Sequence, residues 1–348
     1  MDRVVKLVLL LALAVGIPLG LYYAAPRSEQ PDHLAAARSA IERRDFATAR
    51  RELDEHLTHN PRDSAAELLA AQTARRADDG PAADEHLRRY LELGGDPEQA
   101  ALEREMRRSQ EGDVSSADSV LRFCDEHPDH PAVPFMLEAL ARGLMKAGRL
   151  GRATKCLDRW LALPLSPGDR AEGFFWRGQI LESLNWSADA AEEYRRALAI
   201  DPAHAEARFR LAERLTEFDP REALAHYERL DRDTPGRPEV RLGLARCRRQ
   251  LGDLDAAGQL LAPLLSERPN DPAVLTEAAV LALDRGRPAD AEGLLRRAVA
   301  LDPRHRDAHA QLARCYQELG REDEAREFRE KSKRLEEDAR RLRDAIAR

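Results

Sequence analysis

The chain has 348 residues and a formal net charge of −7, with 34% charged and only 5% aromatic residues. So few aromatic and β-branched residues exclude a large sheet and favour helices, while 43% apolar content excludes global disorder. Acids outnumber the 51 Arg and 5 Lys, which leaves no electrostatic case for nucleic acid.

The first predicted element is a membrane span. Leu7 to Ala25 gives 19 residues without a charge, preceded by Arg3 and Lys6. As a helix it would be about 28 Å long, close to the hydrocarbon core of a bilayer. Tyr22 and Tyr23 then stand where an aromatic belt would lie, with Arg27 beyond. A cleaved secretory signal is the competing reading. It fits less well, because cleavage after Ala24 or Ala25 places Tyr22 or Tyr23 where a peptidase wants a small residue. The first cysteine is Cys124, which argues against a lipid anchor. The expectation is an uncleaved signal anchor over 1–25 and a linker over 26–31. The chain would then be a single-pass inner-membrane protein, N-terminus in, with its body in the periplasm.

Beyond residue 30 the chain repeats. Ala223, Ala257, Ala291 and Ala325 are each 34 apart, as are Gly252, Gly286 and Gly320, and Pro235, Pro269 and Pro303. Within Glu239–Pro269, Leu244 and Ala245 sit on a first helix, Gly252-Asp253 makes the turn, and a second helix carries Ala257, Leu261 and Leu264. Small residues belong where two helices cross closely, and Gly and Pro belong where helices stop. Upstream the period holds in Ala49, Ala83 and Ala117 and in Leu53, Leu87 and Leu121.

This pattern resembles the tetratricopeptide repeat family, whose units are helix-turn-helix pairs of 34 residues with small residues at the eighth and twentieth positions. Those positions are held here by Ala141, Gly178, Ala212, Ala245, Ala279 and Ala313, and by Ala153, Ala190, Ala223, Ala257, Ala291 and Ala325. Ala171–Pro202 fits well, with Phe174, Leu181, Tyr194 and Ala197 also at family positions. Ala37 and Ala71 supply the eighth position of the first two units, whereas Glu105 occupies it in the third. The resemblance implies an all-α, right-handed superhelical solenoid of eight or nine hairpins, with degenerate units 1–3 over 32–131, unit 4 over 132–168 and units 5–9 over 169–339. The spacing stretches near 132 and 168, which predicts bends at 128–134 and 164–170.

The resemblance also implies a concave groove lined by first helices, where a protein partner would bind. The groove-facing stripe reads Glu138, Arg142 and Met145 in the fourth unit, Phe175, Gln179 and Glu182 in the fifth, and Phe209, Glu213 and Thr216 in the sixth. It continues as Leu242, Arg246 and Arg249 in the seventh unit and Ala310, Arg314 and Gln317 in the ninth, flanked by Trp176 and Arg210. Phe175, Trp176 and Phe209 are expected to form an aromatic patch beside Arg142, Arg246 and Arg249, residue types that dominate binding hot spots. The bland alternative is that Phe175 and Trp176 pack between helices. The family's carboxylate clamp needs Asn and Lys on this stripe, and Asn60, Asn185 and Asn270 lie elsewhere.

Chemistry is sparsely signalled. Cys124, Cys156, Cys247 and Cys315 form no CxxC. Cys124 and Cys156, on successive second helices, could pair in an oxidising compartment. Cys124, His127 and His130 hold donor types acceptable to zinc, but a polar loop between helices explains them equally, and no metal or cofactor is expected. His305 and His309 read as a solvated helix start. There is no GxxxxGK[ST], HExxH or GxSxG, so no enzymatic activity is expected.

The C-terminus departs from the repeat, because no proline stops its last helix. Glu322 to Ala347 reads as one helix on which Ala325, Phe328, Ser332, Leu335, Ala339, Leu342 and Ile346 make a heptad seam. It either folds back as a cap, with 340–348 its end, or meets a partner or second copy. The functional expectation is a membrane-anchored scaffold that binds a partner segment in its groove, in envelope assembly, secretion or export. The alternative is a structural protein that self-associates through the C-terminal helix.

Overall fold

The computed structural model describes residues 32–346. The segment read as a signal anchor therefore lies outside the described residues, among which no helix is long and apolar enough to cross a membrane. The described residues form eighteen helices and no strand, arranged as nine consecutive helix pairs. The pairs are α1 (His33–Glu42) with α2 (Phe46–His59), α3 (Ser64–Arg76) with α4 (Gly80–Glu92), and α5 (Pro97–Gln110) with α6 (Ala117–Glu126). Next come α7 (Val133–Lys146) with α8 (Leu150–Leu161), α9 (Pro167–Ser183) with α10 (Ser187–Ile200), and α11 (Ala205–Leu215) with α12 (Pro220–Asp233). The last three are α13 (Pro238–Gln250) with α14 (Leu254–Glu267), α15 (Pro272–Asp284) with α16 (Pro288–Leu301), and α17 (Arg306–Glu318) with α18 (Glu322–Ile346).

Local sequence explains the boundaries. Asp32, Asp45, Asp63, Asp79, Asp219 and Asp253 each accept, through a side-chain oxygen, a backbone N–H of the first turn that follows. Such caps satisfy donors that a helix start leaves without partners. Proline opens α5, α9, α12, α13, α15 and α16, where its missing N–H costs nothing. In eight of the nine hairpins one residue between the helices takes a left-handed conformation: Gly112, Gly148, Gly252, Gly286 and Gly320 do so in five of them. Arg44, Asp78 and Asn185 hold the same conformation in hairpins 1, 2 and 5, where a Cβ makes it strained.

The small residues sit at the helix crossings. Ala141, Ala190, Ala212, Ala223, Ala245, Ala257, Ala279, Ala291, Ala313 and Ala325 are all buried. A Cβ on Gly178 would come within 2.5 Å of the Tyr194 ring, so the crossing of α9 and α10 leaves no room for a methyl group. The largest apolar cluster runs without interruption from Met106 in α5 to Cys247 in α13.

The third hairpin is built differently from the others. Helix α5 lies against α7, the first helix of the next hairpin, rather than against its own partner α6. The reason is local. Glu105 stands where the other hairpins place a small residue, and Gly143 on α7 approaches so near that a Cβ would overlap the Ser109 carbonyl oxygen.

Helix α18 is continuous to Ile346. Its first half is a cap: Ala325 is buried, Phe328 packs on His309 and Tyr316, and Glu336 pairs with Arg306. Residues 338–341 beyond it are exposed.

A candidate partner-binding groove

The inner stripe of first helices does not form one continuous surface. In hairpins 1–5 it is filled by the chain's own side chains. Arg44 leaves its strained turn and donates to Glu138 Oε1 on α7 and Asp169 Oδ1 on α9, both at 2.7 Å. Its Nε lies 3.5 Å from Glu172. Arg76 binds the same Glu138 and Asp169 from the other side. Arg142 binds Asp78 and donates to the Arg76 carbonyl, while Arg75 donates to Glu103 and Gln110. Guanidinium groups alternate with rings along the interior. Arg142 lies 5.6 Å from Trp176, Trp176 5.3 Å from Arg44, Arg44 5.1 Å from Phe46, Phe46 5.2 Å from Arg76, and Arg76 5.7 Å from Phe135. All are within cation–π range.

This network closes the array on itself. The turn of hairpin 1 meets the start of α9, where a Cβ on Gly168 would stand 2.5 Å from the Glu42 carbonyl oxygen. Helix α9 reaches that turn because it begins at Pro167, four residues before Ala171, where the close fit to the repeat begins. The stretch in the period at 164–170 is therefore an added helical turn, and it carries Asp169. Electrostatics follow the geometry. Burial pushes the Glu138 carboxyl up, but Arg76, Arg44 and Arg75 outweigh it and hold it at about 2. Burial pulls the Arg44 guanidinium down, and Glu138, Glu172 and Asp169 more than reverse this.

Over hairpins 6–9 the inner face is open, forming a chamber of about 790 Å³. Phe209, Leu242, Val274 and Val280 supply apolar surface, while Glu213, Arg246, Arg249, Glu277 and Arg306 supply charge. Glu277 accepts from Arg246 Nε at 3.1 Å and from Arg249 Nε at 2.6 Å. Asp284 accepts from Arg249 at 2.8 Å and from Arg314 at 2.9 Å. Burial pushes the Glu213 carboxyl above its ordinary range, although Arg210 and Arg214 oppose it.

The expected groove residues are thus divided. Phe209, Glu213, Arg246 and Arg249 line the chamber together. Arg314 adjoins them through Asp284, and Arg210 pairs with Glu213 and Glu206. Arg142, Trp176 and Gln179 belong instead to the filled half, beside a smaller recess of about 490 Å³. Phe175 is buried against Tyr194 and His204, and Trp176 stacks on Trp160 with centroids 5.3 Å apart. The aromatic patch expected of Phe175, Trp176 and Phe209 is not formed, because Phe209 packs on Tyr227 of its own hairpin while Phe175 and Trp176 pack on Tyr194, His204 and Trp160. Arg44, Arg76, Glu138 and Asp169 were not read as a unit from the sequence. The available signal was Arg44 and Asp78 standing where most hairpins have glycine.

Other candidates resolve locally. The four cysteines are buried free thiols. His127 and His130 flank the Phe123 ring, and His130 Nδ1 accepts the Ala132 N–H. Among the described residues no group of three His, Cys, Asp or Glu side chains could hold a metal ion. His309 is buried against Phe328 rather than solvated, and His305 caps α17.

Profiles of the tetratricopeptide repeat match residues 138–205, 214–279 and 282–348, more than half of the chain. The chain belongs to the tetratricopeptide repeat family. A tetratricopeptide repeat protein from Parabacteroides merdae ATCC 43184 aligns over 82% of this chain and 99% of its own, with TM-score 0.52 and 15% identity. A thermophilic repeat protein of Thermus thermophilus aligns over 51% of this chain and 98% of its own, with TM-score 0.43 and 22% identity. PilW, a type IV pilus biogenesis factor, aligns over 57% and 91%, with TM-score 0.47 and 22% identity. No curated protein sequence matches significantly. Tetratricopeptide repeat proteins are generally interaction scaffolds rather than enzymes.

Proposed function

We propose that this tetratricopeptide repeat protein is a scaffold that holds a segment of a protein partner in the chamber of hairpins 6–9. One observation carries the reading: the inner face is open there and is filled by the chain's own side chains in hairpins 1–5. The chamber offers Phe209 and Leu242 for apolar side chains, with Arg246, Arg249 and Glu213 for polar anchoring, the mix found at binding hot spots. On the sequence of residues 1–25 we place the scaffold on a membrane by an uncleaved anchor, with its body outside the cytoplasm, serving envelope assembly, secretion or export.

The test is a crosslinking pull-down from cells with the full chain against a Phe209→Ala/Arg246→Glu/Arg249→Glu variant. A partner lost from the variant, with helicity unchanged, supports the chamber. The same partners at the same yield would exclude it. Protease accessibility of hairpins 6–9 in intact spheroplasts reads the orientation separately.

A further inference from the structure

The splayed third hairpin leaves an opening of about 830 Å³ between α5 and α6. Its wall is apolar, with Leu102 from α5, Val120 and Phe123 from α6, and Phe135 and Met136 from α7. In the other hairpins the first helix covers this face of the second. Here α5 has turned to α7, so α6 lacks its own first helix and is held by α7 and by the Asp118–Arg152 and Asp125–Arg159 pairs to α8. Helix α6 has ten residues, about 15 Å. Glu98 and Glu105 line the opening, Glu98 exposed and Glu105 paired with Arg108. Residues 97–131 hold nine acids against four arginines, and three of those acids, Glu103, Asp118 and Asp125, pair with Arg75, Arg152 and Arg159 from outside the segment.

The matching element lies at the other end of the chain. Past Glu336, the last residue seen to anchor α18, the helix runs another ten residues to Ile346, again about 15 Å. Residues 340–348 read RRLRDAIAR, four arginines against one acid, with Leu342 and Ile346 four apart. Arg340 and Arg341 are exposed. Length, charge and apolar spacing therefore correspond to what the cleft beside α6 lacks.

We propose that the end of α18 from one copy docks between α5 and α6 of a second copy, joining chains head to tail. Such a contact uses two different surfaces, so it repeats without closing at a dimer. It is independent of the chamber and of any partner held there.

Sedimentation of the full chain in mild detergent, across a concentration series, tests it. The native chain is expected to grow beyond a dimer with concentration and to dissociate at high salt. Arg340→Glu/Arg341→Glu in the tail, or Glu98→Arg/Glu105→Arg in the cleft, should each weaken association by about tenfold or more. Mixing the two variants should restore it, because each then offers the charge the other lacks. The tail substitutions lie on an exposed stretch of helix, so their effect cannot come from misfolding, and a chain ending at Ala339 should behave likewise. A native chain that stays monomeric overturns the proposal. So does association lost with the tail but indifferent to the cleft charges, which would place the contact on the heptad seam.

Discussion

Hairpins 1–5 and hairpins 6–9 are built from one repeat and use their inner faces in opposite ways. In the first group Arg44 reaches residues more than ninety positions away and the interior is occupied. In the second, the charged residues pair with the next hairpin, as Arg249 does with Glu277 and Asp284, and a chamber remains. Burying several charges is costly unless each is paired, so the filled half reads as a closed body and the open half as a spring of nearest-neighbour contacts. The lesson is that the superhelical path, rather than the repeat, decides whether a groove is a site or a core.

The comparison breaks most readily at Glu138. Glu138→Ala leaves Arg44 and Arg76 buried with less compensation and should cost about 3–5 kcal/mol. Hydrogen exchange should show protection lost through hairpins 1–5 and kept in hairpins 6–9. Equal loss in both halves would mean that they are one cooperative unit. Gly143→Val comes next, at about 1–3 kcal/mol or more, because its side chain drives α5 from α7. Denaturant titration would register it as an earlier first transition.

Acid sharpens the contrast. Glu138 is held at about 2 against an ordinary 4.5, so its contribution of about 3 kcal/mol is complete above pH 5 and fades as pH falls toward 2. Glu213 is shifted the other way: its protonated form is favoured in the fold, and stability at that site is lost as pH rises through its folded value. Lowering the pH from 7 should therefore alter partner binding in the chamber before the closed half loosens, as binding and circular dichroism measured together would reveal. Arg314→Ala, at an exposed pair, should change stability by about 1 kcal/mol or less.

Much of the array was legible because a 34-residue period needs only local evidence: small residues at crossings, with Gly and Pro where helices stop. Ala223, Ala257, Ala291 and Ala325 are buried where the spacing placed them. The groove stripe was legible as phase but not as surface. Whether Phe175 or Arg142 faces solvent depends on how tightly successive hairpins wind, which no single unit encodes. Arg44 and Asp169 meet across 125 residues of chain, beyond any periodic pattern. The eighth unit contributed no residue to the expected stripe, yet two chamber arginines converge on its Glu277.

The contact between the first turn and the start of α9 also limits how this chain can change in length. An array of nearest-neighbour units tolerates duplication or loss of a whole unit, since the flanking units see the same surfaces. Hairpins 2–4 do not have that freedom: adding or removing one would carry Asp169 and Gly168 past Arg44, and the ring would no longer meet. Growth and shrinkage over generations are thereby confined to the open half, where each added hairpin would simply lengthen the chamber.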